Sequence, residues 1–305
     1  MMKKVQILLS SYNGEKYIGE QIDSLLNQDY ENISILIRDD GSTDNTVAVL
    51  RSYEKQNDCI SLIEGNNIGA VASFFELMKD ADLSADLFSF CDQDDVWKKN
   101  KVSKAVEKFF CFKDEKPYLY FTNLTVTDEH LNIIEDTKSP CCIGPENAIV
   151  QNIASGCTMV IDRKLLLLVL DNQPNIANVY MHDWWIYLLA SFLGEVVFDS
   201  NSYIMYRQHG SNTLGIPLNF WQKKKSKLKY MFNYKGRALR IAHIREFWSV
   251  TKNKISPKNE LLIQKFFKCQ EGFLKRCKIS FEMPFRFRSR LSTWKLRLLI
   301  ILDLY

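Results

Sequence analysis

The sequence predicts an α/β fold: a mostly parallel, Rossmann-like central sheet with flanking helices, followed by a basic α-helical region. Three observations support this. Short apolar runs alternate with amphipathic stretches through residues 5–91, as successive βαβ units do. Several of these runs end in polar clusters, and a parallel sheet gathers its ligand-binding loops at such strand ends. Charge also divides the chain. Residues 1–218 carry 18 Lys/Arg against 31 Asp/Glu, a net of −13, and residues 219–305 carry 22 against 5, a net of +17.

The elements follow in order. Val5–Leu9 suits a buried strand. The preceding Met1-Met2-Lys3-Lys4 imitates a signal peptide, but the apolar run is too short. Tyr17–Leu26 has helical spacing, with Tyr17, Ile18, Ile22, Leu25 and Leu26 on one face. Ile33–Ile37 is a second strand, closed by the turn Asp39-Asp40-Gly41-Ser42. Thr46–Tyr53 reads as a helix, Ile60–Ile63 as a strand, Gly69–Met78 as a helix and Leu87–Cys91 as a fourth strand. Right-handed crossovers would place Ser11-Tyr12-Asn13, Asp39-Asp40-Gly41 and Asp92–Asp95 along one sheet edge. Further along, Tyr118–Leu124, Cys157–Ile161, Glu195–Phe198 and Tyr203–Tyr206 read as strands, and Trp184–Phe192 as a helix. No stretch reaches the ~18 apolar residues of a transmembrane helix.

Composition is that of a globular protein, with 46% hydrophobic and 25% charged residues. The eight cysteines form no CxxC pair and no disulfide framework, so reduced, mostly buried thiols are expected.

The cluster Asp92-Gln93-Asp94-Asp95 puts three carboxylates in four residues. Their repulsion is tolerable when a cation compensates it, and hard oxygen donors suit Mg²⁺ or Mn²⁺. A solvated acidic turn or a helix N-cap would use the same residues. Two other polar clusters at the same edge favour the cation.

Ile7–Gly14, Arg38–Asp44 and Asp92–Asp95 together resemble family 2 glycosyltransferases, which have the GT-A fold and transfer sugars with inversion. The resemblance spans roughly residues 3–215. Asn67–Phe75 and Asp92–Trp97 bring it nearest to bacterial rhamnosyltransferases. It implies a role for each matching position. Tyr12 would pack on the nucleotide base, though a core aromatic at a strand end would look the same. Asp39 would accept the pyrimidine N–H and Asp40 would support it, with Ser11, Asn13 and Asn67 beside the nucleotide. Asp92 would lie near ribose and metal, and Asp94 would bind the metal.

Met181-His182-Asp183-Trp184-Trp185 resembles the family's ED-type motif, whose Asp is the catalytic base. Asp183 matches that Asp, and His182 replaces the usual Glu, which leaves its role open. Inverting transfer needs a base opposite the leaving group, and the Trp rings would form an acceptor platform. An N-cap Asp with core Trp residues is the structural alternative. In Tyr206-Arg207-Gln208-His209-Gly210, the resemblance makes His209 a third metal ligand, and Arg207 could contact the diphosphate. A surface or satisfied core histidine is the alternative. Gly210-Ser211-Asn212 would open a mobile loop over the donor. Gly156 and Cys157 match the donor–acceptor junction, where small residues let backbone approach the sugar.

The basic tail could bind nucleic acid, bind anionic lipid or form a solvated face. Trp221, Trp248, Phe281, Phe285 and the Leu-rich end favour a membrane and disfavour nucleic acid. The expected division is a GT-A domain at 1–218 and a membrane-associating, acceptor-handling region at 219–305. The expected function is Mn²⁺- or Mg²⁺-assisted transfer from a nucleotide sugar, dTDP-L-rhamnose first. The acceptor would be a polyprenyl-diphosphate-linked surface glycan at the cytoplasmic face of the bacterial plasma membrane. UDP-hexose or UDP-N-acetylhexosamine donors are the alternative, and homo-oligomerisation stays open. A nucleotidyltransferase would need an early basic cluster, yet residues 10–15 contain no Lys or Arg. A non-catalytic nucleic-acid binder leaves the acidic body unexplained.

Overall fold

The computed structural model describes residues 2–112, 115–210, 234–269, 271–282 and 284–303. The expected loop residues Ser211 and Asn212, the boundary at 218, Trp221 and Lys223–Lys225 lie outside the described residues, as does the side chain of Phe281.

The chain forms two units drawn from interleaved segments. The first takes Met1–Lys138, Ala154–Asp171 and Val197–Gly215; the second takes Ser139–Ile153, Asn172–Val196 and Ile216–Tyr305. The second unit therefore includes stretches that the charge contrast alone assigns to the acidic region.

In the first unit the apolar runs become β1 (Val5–Ser11), β2 (Ile33–Asp39), β3 (Ile60–Glu64) and β4 (Leu87–Cys91), separated by α1 (Ile18–Leu26), α2 (Thr46–Gln56) and α3 (Ala70–Lys79). β1 pairs parallel with β2 and β4, and β2 with β3. This gives the order β3-β2-β1-β4. Strand order reverses between β1 and β4, so the binding crevice belongs at their C-terminal ends. Ser11 stands opposite Asp39 and Leu9 opposite Cys91, which puts the three polar clusters on one edge.

Beyond β4 the sheet includes antiparallel pairings. After β4 come β5 (Val96–Trp97), α4 (Lys101–Phe110), β6 (Tyr118–Thr127), β7 (Ile133–Asp136), α5 (Pro145–Ala148) and β8 (Val160–Asp162). These are followed by α6 (Arg163–Asp171), α7 (His182–Leu193) and β9 (Glu195–Arg207). The strand expected at Cys157–Ile161 begins instead with a 3₁₀ turn, Gly156–Thr158, in which Thr158 Oγ1 donates to Ser155 O at 2.8 Å. The two strands expected between 195 and 206 are one. Asp199 Oδ1 takes the Asn201 amide at 2.9 Å and Ser200 O takes Asn123 Nδ2 at 2.8 Å, so the polar middle stays paired. The sequence reading assigns no element to α4, yet Val102, Ala105, Val106 and Phe109 bury one helical face.

The second unit is helical. It holds α5, α7 and the tail helices α8 (Tyr234–Thr251), α9 (Pro257–Lys268), α10 (Phe273–Phe281) and α11 (Arg290–Ile301). α7 is apolar around most of its circumference and nearly all buried. Its Trp185 and Phe192 pack against Phe247 of α8. The tail is thus built into a core and is not only a solvated basic face. All eight cysteines are free. No described helix is long and apolar enough to cross a membrane.

Candidate functional site

The loop after β1 is stitched to those after β2 and β4. Asn13 adopts a left-handed backbone (φ 49°). Its amide donates to Ser42 Oγ at 2.9 Å, its Oδ1 accepts from Thr43 N at 2.8 Å, and Gly14 N donates to Thr46 Oγ1 at 2.8 Å. Gln93 brackets Tyr12, accepting its N–H at 2.8 Å and donating to its carbonyl at 3.0 Å. The Tyr12 ring itself is 44% exposed.

Asp39 and Asp40 are buried but satisfied. Asp39 Oδ2 accepts from Ser11 Oγ (3.0 Å) and Ser42 Oγ (2.6 Å), and Oδ1 accepts from Ser42 N (2.8 Å). By lone-pair count Oδ1 keeps an acceptor site. Asp40 pairs with Arg38 at 2.5 Å and caps the approach to α3 by accepting from Ile68 N and Gly69 N. Gly41 (φ +78°) is required there, because a Cβ would meet the Asn67 amide nitrogen at 2.9 Å. The exposed Asn67 therefore lies beside the turn after β2.

The acidic loop is anchored from behind. His209 Nε2 lies 2.8 Å from Asp94 Oδ2. Arg207, expected to reach a diphosphate, is buried and committed elsewhere. Its Nε donates to Asp94 O (2.9 Å), its Nη1 to Glu129 O (2.6 Å) and its Nη2 to Glu20 (2.5 Å). Its guanidinium also sits 4.6 Å from the Tyr17 ring centre, and the same ring packs on His209. Arg207 therefore positions Asp94 and His209.

Asp95 is fully buried. Its Oδ1 accepts the Arg207 amide at 3.1 Å, while Oδ2 has no hydrogen-bond partner among the described residues. Burial raises its pKa, and repulsion from Asp94 and Asp92 adds to the rise. Donor atoms of Asp92, Asp95 and Cys157 lie within 4.8 Å of one another. This grouping differs from the expected Asp92, Asp94 and His209 set, and both share Asp92. Burial also pushes the Cys157 thiol well up. It stays protonated at neutral pH and is a poor ligand for a hard cation. The carboxylates and the imidazole suit Mn²⁺ or Mg²⁺, and the mutual repulsion of Asp92, Asp94 and Asp95 is what a cation would relieve.

Beneath the loop, Lys101 is 3% exposed. Its Nζ donates to Ser89 Oγ at 3.1 Å and stands 3.4 Å from the Trp97 ring centre. Burial lowers its pKa to about 8. Tyr17, Glu20, Gln93, Lys101 and Glu129 escaped the sequence reading because their roles arise from long-range contacts that no local motif signals.

The remaining site residues belong to the second unit. Asp183 opens α7, is 8% exposed and accepts the Trp184 amide at 2.7 Å. His182 is buried, which lowers its pKa to about 3 and keeps it neutral. Trp184 and Trp185, expected as a platform, are packed inside. Trp184 Nε1 donates to Ala148 O at 2.7 Å, and both rings pack against His243.

The glycosyl transferase family 2 model matches residues 6–114, the segment that carries all three stitched loops. The dTDP-rhamnosyl transferase RfbG of Shigella flexneri is 29% identical over 228 residues, covering 71% of this chain and 77% of that protein. An Escherichia coli relative, the UDP-Glc:alpha-D-GlcNAc-diphosphoundecaprenol beta-1,3-glucosyltransferase WfgD, is 30% identical over 186 residues, covering 60% and 68%. Among solved structures, the mannosyltransferase PcManGT of Pyrobaculum calidifontis, in complex with GDP-Man and Mn²⁺, aligns with a TM-score of 0.52 at 13% identity, covering 99% of this chain and 88% of that one. The βαβ edge with its joined acidic loops lies within the matched segment, and this chain, a glycosyltransferase of GT-A fold, belongs to glycosyl transferase family 2.

Proposed function

We propose that the enzyme transfers a sugar with inversion from a nucleoside-diphosphate sugar, dTDP-L-rhamnose first, to a glycan carried on a polyprenyl diphosphate. The reaction would occur at the anionic inner face of a bacterial plasma membrane. The observation that carries this reading is the Asp94–His209 pair, 2.8 Å apart and backed by Arg207 at the edge where the Tyr12, Asp39 and Asp92 loops are stitched together. The name of RfbG supports the rhamnosyl donor. The name of WfgD supports a lipid-diphosphate acceptor and equally favours a second reading with a UDP-hexose donor.

Asp92, Asp94 and His209 would hold Mn²⁺ or Mg²⁺, which would neutralise the departing diphosphate. Tyr12 offers its exposed ring to the base, and Asp39 offers its remaining acceptor site to a pyrimidine N–H. Gly156 and Cys157 present small residues to the sugar. Asp183 removes the proton from the acceptor hydroxyl as that oxygen attacks the anomeric carbon, with the amide of Trp184 orienting its carboxylate. Neutral His182 and the packed Trp184 and Trp185 support that helix start from within. An α-linked rhamnoside follows from a β-configured rhamnosyl donor.

Asp183→Asn tests this reading. Transfer to a polyprenyl-diphosphate glycan should fall about 10²–10⁴-fold while donor binding persists. Undiminished transfer would remove Asp183 from the mechanism.

A further inference from the structure

α11 carries two apolar faces where a surface helix normally has one. Leu296 and Ile300 are buried, at 0% and 4% exposure. On the opposite side Leu291, Trp294, Leu298 and, one residue past the helix end, Leu302 are 68%, 67%, 57% and 53% exposed. Their spacing of three, four and four residues keeps them within an arc of about 80° at 3.6 residues per turn. α10, which packs against α11, exposes Phe273 and Leu274. A contiguous apolar stripe of this kind marks an interaction surface.

The surrounding charge is one-sided. Residues 271–303 hold eight Lys/Arg against three Asp/Glu, a net of +5. Two of the three acids are already paired: Glu271 with Lys275, and Asp303 with Arg237 and Arg276. Lys278, Arg286, Arg290 and Lys295 are exposed. On the helical wheel Lys295 flanks one side of the stripe and Arg290 the other. Arg297 lies over the Trp294 ring at 4.6 Å, a cation held beside an amphipathic aromatic. The expected anchor Phe285, by contrast, is 1% exposed and belongs to the core.

We propose that the stripe Leu291–Trp294–Leu298–Leu302 is the face by which the enzyme enters the interface of an anionic lipid bilayer. α11 lies in the membrane plane, its basic flanks on the headgroups and its Leu296–Ile300 face still in the protein core. The inference rests on the membrane reading of the tail given above and names the surface that performs it. It does not depend on which sugar is moved.

The test is co-sedimentation of the full chain with vesicles of phosphatidylcholine alone and of phosphatidylcholine with phosphatidylglycerol. Wild type should bind the anionic vesicles, bind the neutral ones more weakly and lose affinity as salt rises. Trp294→Ser/Leu298→Ser should weaken anionic binding about tenfold or more and leave the thermal unfolding midpoint unchanged, because both side chains are exposed. If that variant does not fold, Trp294→Phe provides the second arm: it should keep binding but lose the quenching of Trp fluorescence by brominated lipid. Wild-type binding that Trp294→Ser/Leu298→Ser leaves unchanged, or quenching that Trp294→Phe leaves unchanged, would overturn the stripe while leaving the membrane reading standing. No binding by wild type to any vesicle would overturn both. Stripe-dependent self-association in lipid-free buffer, without vesicle binding, would identify a second copy of the chain as the occupant and end the proposal.

Discussion

The sheet edge of the first unit and the α7 helix of the second bury polar groups in opposite ways. At the sheet edge, Asp39 and Asp40 are almost inaccessible yet receive hydroxyls, amides and a guanidinium. The fold supplies a donor to every oxygen of both carboxylates. Around α7, His182 and His243 are buried in apolar and aromatic surroundings, and their pKa values fall to about 3. Their charge is given up. A loop built the first way can present carboxylates to a cation. A helix built the second way can only hold its first residues, Asp183 among them, in a fixed place.

Arg38→Met attacks the first arrangement where it is most buried, since the Arg38 and Asp40 side chains are 7% and 3% exposed. It should cost about 3–5 kcal/mol in chemical denaturation, because the lone carboxylate stays buried. A cost near zero would mean that the amides of Ile68 and Gly69 suffice.

The second arrangement predicts acid sensitivity. His243 is held at about 3 from an ordinary 6.5. Between those values the unfolded chain binds a proton that the native state refuses, so stability falls as pH drops below 6.5. Replacing it with Leu should shrink the stability lost between pH 7 and 4.5 by about 3 kcal/mol in urea titrations. Equal losses in both proteins would show that His243 takes up its proton as readily in the native state as in the unfolded chain.

Lys101 gives the smallest effect and sharpens the contrast, because it is a buried cation in the first unit with three donors to give and the Ser89 hydroxyl to receive one. Its pKa is lowered to about 8 from 10.5. Above pH 8 the native state sheds a proton that the unfolded chain keeps until 10.5, so stability rises with pH across that window. Wild type should gain about 1 kcal/mol relative to Lys101→Met between pH 7 and 9. A parallel pH profile for the two proteins would contradict the burial account.

The legible half of this protein is the half written in local pattern. β4 occupies Leu87–Cys91, the same residues that its apolar run marks, and β1 to β3 extend their predicted runs by one or two residues. The shared edge of the loops carrying Asp39, Asp92 and Asp94 was legible because each loop follows such a run. What local pattern hides is pairing at a distance. Asp199-Ser200-Asn201-Ser202 looks like a turn, but Asn123, distant in sequence, keeps it in the sheet. Arg207 looks like a diphosphate ligand until Glu20 and Glu129 occupy its donors. Trp184 and Trp185 look like a platform until Ala148, His243 and Phe247 enclose them. α4 is a different case: Val102, Ala105, Val106 and Phe109 already mark its buried face in the sequence.

The central claim is that Asp94 and His209 hold a divalent cation for the donor's diphosphate. Isothermal titration of dTDP and UDP into the full chain, with and without Mn²⁺, tests it most directly. Mn²⁺ should tighten nucleotide binding to wild type by at least about tenfold, and Asp94→Ala and His209→Ala should each abolish that gain while keeping the metal-free affinity. A gain of the same size in both variants would contradict the account.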